Sequence, residues 1–142
     1  MTYDRMDWHY GSENFPSELN DDNAGTHIGM FIAWVIRRDL IGELHLKESV
    51  ESISKVKSRQ MTGTEFLKLE CDEKFWEDDL NDKGNAFAQY YYGANMYYED
   101  YGSILSDELS SVFHVIDSWD NYEKLALKLD EQFNKWQETV QS

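Results

Sequence analysis

The sequence predicts an all-α single domain of about five to seven helices, closed by a long amphipathic helix at the C-terminus. Three observations support this. From Ser118 onward, Trp119, Tyr122, Leu125, Leu129, Phe133, Trp136 and Val140 follow one another at steps of three and four residues. That spacing lines one face of a helix, and a strand cannot place it on one side. From Thr26, the residues Ile28, Phe31, Ile32, Val35 and Ile36 recur with the same period, with Met30 and Trp34 widening the face. This predicts a largely buried helix ending near Arg38, whose cationic last turn suits the helix dipole. The only plausible short strand is SVFHVI, residues 111–116, and one strand makes no sheet.

The other elements follow from local signals. Pro16 and the polar run SELNDDNAG read as a loop before the first periodic helix, and Gly42 marks a turn after it. A weaker helix uses Val50, Ile53 and Val56, with Ser49 as its candidate N-cap. Thr62 followed by Glu65 has the spacing of a capping box, with Phe66, Leu67 and Leu69 as core contacts of the helix it opens. Residues 70–82 read as a short helix or turn with an anionic exterior, anchored by Phe75, Trp76 and Leu80. Ala86, Phe87, Tyr90 and Tyr91 predict another helix, Gly93 a break, and Met96, Tyr97, Tyr101 and Ile104 a further one. Their tyrosines are expected to bury rings and leave hydroxyls wet. Trp8, Trp34, Trp119 and Trp136 are assigned to the core. With no internal repeat, linker or composition break, residues 1–142 form one helical domain.

With 142 residues, 41% of them hydrophobic and 15% aromatic, the chain has enough apolar material for one core without staples. Its single cysteine, Cys71, excludes an intrachain disulfide framework and suits a reducing compartment. The N-terminal MTYDRMDWHY lacks the basic patch and apolar run of a signal peptide, and no window approaches the roughly 20 apolar residues of a membrane span. A cytoplasmic, non-membrane protein is expected.

Charge is the most distinctive property. The net charge is -15, and residues 70–142, with 17 acidic against 5 basic side chains, carry -12 of it. Between Lys83 and Lys124 there is no Lys or Arg, while Glu99, Asp100, Asp107, Glu108, Asp117, Asp120 and Glu123 lie among seven tyrosines. Such a surface repels nucleic acid and anionic lipid, whose recognition needs Lys and Arg, and attracts a basic partner. Rigid aromatic rings supply buried contact area while carboxylates steer the encounter.

Catalytic signatures are absent. There is no H-E-x-x-H, no Cys-x-x-Cys, no glycine-rich phosphate loop and no G-x-S-x-G elbow. Asp79, Asn81, Lys83 and Gly84 resemble the start of a calcium loop, but Lys83 occupies a ligand position and Tyr90 stands where the bidentate glutamate is required. His27 and His114 lie in apolar surroundings and read as core histidines. Cys71 reads as a small half-buried hydrophobe, its thiolate suppressed by Asp72 and Glu73. No cofactor is expected.

Several motifs resemble those of a family of small bacterial proteins of unknown function. They are Tyr3, Asp4, Trp8, His9 and Tyr10; Thr26 through Phe31 as THIGMF; Cys71, Asp72, Glu73 and Lys74; and Asp79, Leu80, Asn81, Gly84, Ala86, Phe87 and Ala88. The likeness extends to Trp119, Asn121, Tyr122 and Trp136. It implies a kinship with small acidic immunity proteins that neutralise toxins delivered between bacteria, and it assigns no residue a role.

The expected function is therefore that of a non-enzymatic immunity-type protein binding a cognate toxin or effector domain of basic character. Its expected interface comprises Trp76, Asp78, Asp79, Asp82, Tyr97, Tyr98, Glu99, Asp100, Tyr101, Asp107 and Glu108. The alternatives are a small metal-dependent enzyme using His9, His27 and His114 with Asp4 and Asp7, and a helical adaptor.

Overall fold

The computed structural model describes residues 1–141. The chain forms strand β1 (Thr2–Arg5), helices α1 (Asp7–Tyr10), α2 (Thr26–Arg37), α3 (Glu43–Glu48), α4 (Val50–Lys57) and α5 (Gly63–Glu70), strand β2 (Lys74–Trp76), and helices α6 (Asp82–Tyr91), α7 (Met96–Leu105) and α8 (Trp119–Gln141). Single 3₁₀ turns cover Asp21–Gly25, Glu77–Asp79 and Val112–His114. The fold is a mostly helical compact domain with one small two-stranded sheet and a long C-terminal helix.

Helix α2 is the hub. Every residue from Thr26 to Ile36 is buried, because α5, α4 and α8 cover it on several sides. A helix this apolar all round belongs in the interior. Its closest partner is α5, and the approach depends on two glycines. A Cβ on Gly63 would stand 1.7 Å from the Gly29 carbonyl oxygen, and one on Gly29 would stand 2.3 Å from the Thr64 nitrogen. Helix α5 begins with the predicted capping box: Thr62 accepts from the Glu65 N–H, and the Glu65 carboxylate accepts from the Thr62 N–H.

An aromatic core fills the space between α2 and the second half. Phe31, Phe87, Tyr91, Tyr92 and Tyr97 pack edge-on and stacked, with centroids 5–6.5 Å apart. The rings of Phe133 and Trp136 from α8 reach Phe87 from the other side. Tyr122, Leu125, Leu129, Phe133 and Trp136 are buried as predicted.

Several expectations are corrected. SVFHVI is not a strand. Residues 112–114 make a 3₁₀ turn whose Ser111 hydroxyl accepts from the Phe113 N–H, since no neighbouring strand offers a ladder. A strand forms instead within 70–82, where β2 pairs antiparallel with β1. The pairing is irregular between Thr2 and Asp4, so that Tyr3 and Asp4 together stand where one residue would face Phe75, and a bulge of this kind re-aims side chains. Asp4 is buried as a result. Helix α3 lies where only a turn was expected. Ser49 makes no cap bond, and its hydroxyl donates to Glu70. Leu69, Val140 and Trp8 are exposed, at 66%, 61% and 54%. Leu69 lies on the outer face of α5, two residues from buried Leu67, and α8 has run past the core by Val140. Trp8 lies in the one-turn helix α1 at the surface.

Candidate functional site

Two clusters of buried polar side chains and two neighbouring surface depressions carry the chemistry of this fold. The first cluster centres on Asp4. One carboxylate oxygen accepts from the Arg5 N–H at 2.9 Å and from His9 Nε2 at 2.7 Å. The other accepts from His27 Nε2 at 3.0 Å and from the Tyr92 hydroxyl. Strand β1 supplies the acid, α1 and the start of α2 supply one imidazole each, and the residue capping α6 supplies the phenol. Burial alone would raise the pKa of Asp4, but the bonds from His27 and His9 outweigh it and hold the carboxyl well below the usual range. Burial pushes the His27 imidazole down, an effect that Asp4 opposes in part. His27 also meets Tyr98 and Tyr101 edge-on. The Tyr97 hydroxyl donates to the His27 carbonyl. The Tyr101 hydroxyl is buried and has no partner among the described residues.

Asp4 and His9 form part of the lining of a pocket of about 470 Å³ whose other walls include Tyr3, Trp8, Tyr92, Tyr98 and Glu99. Beside it lies a cleft of about 570 Å³ between the start of α3 and the turn leading into α6, lined by Glu43, Leu44, Glu77, Asp78, Asp82 and Asn85, among others. The Tyr3 hydroxyl, from the pocket wall, donates to Asn85 Oδ1 in the cleft wall at 2.7 Å, so one hydrogen-bonded pair joins the two depressions. Asp78 and Asp82 take part in no ion pair among the described residues. The nearby Lys83 turns away, its ammonium lying over the Phe133 ring.

The second cluster ties α3 to β2. His45 Nε2 lies 2.7 Å from Asp79 Oδ1 and 3.8 Å from Cys71 Sγ, and Nδ1 lies 3.1 Å from the Ser49 hydroxyl. Ser49 and Ser52 donate onward to Glu70. A cysteine–histidine–carboxylate relay needs thiol and acid on opposite ring nitrogens. Here both face Nε2, so the arrangement is not a nucleophile site. Burial, followed by the charges of Asp79 and Glu70, pushes the Cys71 thiol far up, which leaves it inert.

The expected partner face divides. Asp79 is 3% exposed: its carboxylate bonds His45 and accepts from the Trp76 N–H. Tyr97 and Tyr101 are fully buried in the aromatic core, because, four residues apart on α7, both rings face α2. These three are structural residues. Asp100 accepts from the Tyr91 hydroxyl and from Gln132, and so is engaged within the fold. Asp107 and Glu108 are exposed beyond the end of α7 and line neither depression. Asp78 and Asp82 line the acidic cleft, Tyr98 and Glu99 line the aromatic pocket, and Trp76 is 41% exposed on β2. Of the metal-enzyme set, Asp4, His9 and His27 converge. His114 bonds Ser111 and Glu18 instead, and Asp7 pairs with Arg5.

Sequence reasoning missed Tyr92, Tyr3, Trp8, Glu43 and Asn85. Only the clustering of tyrosines at residues 90–92 hinted at the first.

The fold and these clusters define a small, strongly acidic helical protein with a buried carboxylate–imidazole centre. The chain belongs to the family described as Domain of unknown function (DUF7832), whose profile matches residues 2–115. The match spans both polar clusters and both depressions, and α8 lies beyond it. No curated protein and no solved structure matches the chain. No helix among the described residues is long and apolar enough to cross a membrane.

Proposed function

We propose that this chain is an immunity-type protein that binds a basic protein partner, a cognate toxin or effector domain, across the two joined depressions. The observation that carries the reading is their juxtaposition. The cleft presents the carboxylates of Glu43, Glu77, Asp78 and Asp82 beside exposed Leu44, and the adjoining pocket presents Trp8 and Tyr98 beside Glu99. Glu43 and Glu77 also pair with Lys47 and with the N-terminal ammonium, so it is chiefly the unpaired carboxylates of Asp78 and Asp82 that raise the rate of encounter with a cationic surface, and half-exposed aromatic rings supply the area that keeps it bound. Lysine or arginine side chains of the partner occupy the cleft in place of the anionic substrate they would otherwise hold. The protein acts in the cytoplasm, by occlusion and without catalysis.

Replacing Glu43, Asp78 and Asp82 together by lysine tests this reading in cells that co-express the partner. Protection is expected to be lost while the fold, followed by circular dichroism, is retained. Undiminished protection by the triple variant would sink the proposal.

A further inference from the structure

We propose that Asp4, His9 and His27 bind a divalent first-row transition-metal ion at the floor of the aromatic pocket. This goes beyond the docking of a basic partner and does not depend on it. One carboxylate with two imidazoles, coordination positions left open toward a cavity, is a ligand set used for zinc and for non-haem ferrous iron. The three ligand atoms lie within 4.8 Å of one another. Metal bonds of about 2.0–2.2 Å place neighbouring ligand atoms a little over 3 Å apart. The present separations, 2.7 Å from Asp4 Oδ1 to His9 Nε2 and 3.0 Å from Asp4 Oδ2 to His27 Nε2, are each a few tenths of an ångström short of this, so seating an ion moves each imidazole outward from the carboxylate oxygen it faces.

The proton balance is straightforward. A carboxylate that accepts from both histidines requires a hydrogen on each Nε2. The ion takes the place of those two hydrogens, and each neutral imidazole carries its proton on Nδ1 instead. The Arg5 N–H and the Tyr92 hydroxyl remain on Asp4, and donors of this kind orient a ligating carboxylate and tune its metal. His27 is fixed in the buried first turn of α2, whereas His9 sits half-buried in the one-turn helix α1, which gives the site one rigid and one adjustable imidazole. The pocket walled by Trp8, Tyr98 and Glu99 is the route of entry.

The second cluster is a poorer holder. None of its three members, His45, Cys71 and Asp79, lines the pocket or the cleft, so neither depression gives an ion access to it.

The test is titration of the chelator-stripped full chain with cobalt(II), followed by visible absorption and then by displacement with zinc. Uptake of one equivalent is expected, with the ligand-field bands of a low-coordinate nitrogen–oxygen site and an upward shift of Tm on adding zinc. His9→Gln, chosen because His9 is partly exposed and its loss leaves the core intact, should remove both signals, and His114→Gln should keep them. No stoichiometric uptake by the wild type, equal uptake by His9→Gln, or loss of uptake in His45→Gln but not in His9→Gln would each overturn the assignment.

Discussion

Tyr92, the residue capping α6, donates its hydroxyl to Asp4, 88 positions earlier in β1. This bond fastens the second half of the chain to the N-terminal strand at the floor of the aromatic pocket, where both residues are buried. Replacing Tyr92 with phenylalanine keeps the ring in the aromatic core but leaves the buried carboxylate one donor short. Hydrogen bonds to charged groups contribute about 1.5–3 kcal/mol, and a loss of stability in that range is expected from urea denaturation. A change under 0.5 kcal/mol would mean that Asp4 finds another donor.

Of the adjacent acids Asp78 and Asp79, the first is exposed in the cleft and the second is buried in the scaffold. Asp79→Ala removes both the partner of His45 and the acceptor for the Trp76 N–H, and breaking a buried pair on one side costs about 3–5 kcal/mol. Asp78→Ala changes an exposed side chain and should leave Tm within a degree or two of the wild type. Thermal unfolding of the two variants side by side checks this, and equal effects would contradict the assignment of Asp79 to the scaffold.

The Gly29–Gly63 contact sets how closely α2 and α5 pack. A methyl group at Gly63 meets the Gly29 carbonyl at 1.7 Å, which only separation of the two helices can relieve. Gly63→Ala should therefore destabilise by at least the 1–3 kcal/mol or so typical of overpacking. Hydrogen exchange should show the loss concentrated in α2 and α5.

Alkali should unfold the protein through its tyrosines. Burial pushes the hydroxyls of Tyr91, Tyr92, Tyr97 and Tyr101 well up from their ordinary value of 10.0, with a nearby carboxylate adding to the effect at Tyr91 and Tyr92, and raises Tyr122 to about 12. A pKa raised in the folded state contributes stability that is whole below the unfolded value and is lost as pH rises past it. Stability should thus begin to fall above about pH 10, with phenolate absorbance from the buried rings appearing together with loss of helical circular dichroism. Ionisation of these rings while the helices persist would contradict their burial.

How much of this was legible in the sequence depended on where the determining partner lay. Helix α8 was readable because its apolar residues are spaced along one segment, and so was the capping box at Thr62, which is closed by a residue three positions away. The β1–β2 pair was not, since its ladder joins Thr2 to Trp76 and neither strand is long enough to show alternation. Tyr97 and Tyr101 were mistaken for partner-facing residues because tyrosine suits a core and a wet interface equally. The distinction was made by α2, more than 60 residues away. Asp79 failed for the same reason: a carboxylate in an acidic run reads as solvated until His45 appears opposite it. The convergence of Asp4, His9 and His27 was legible as a set of residue types, but His114 could not be excluded before Glu18 and Ser111 were seen to engage it.

The most direct test of the proposed docking is retrieval of the partner from the native organism by the tagged chain, with the Glu43→Lys, Asp78→Lys, Asp82→Lys triple variant and an Asp107→Lys, Glu108→Lys variant as parallel baits, each at low and high salt. Wild type and the Asp107, Glu108 variant should retain the same basic toxin or effector domain at low salt and release much of it at high salt, while the cleft variant retains none. Equal retention by all three baits, or retention indifferent to salt, would contradict binding through the acidic cleft.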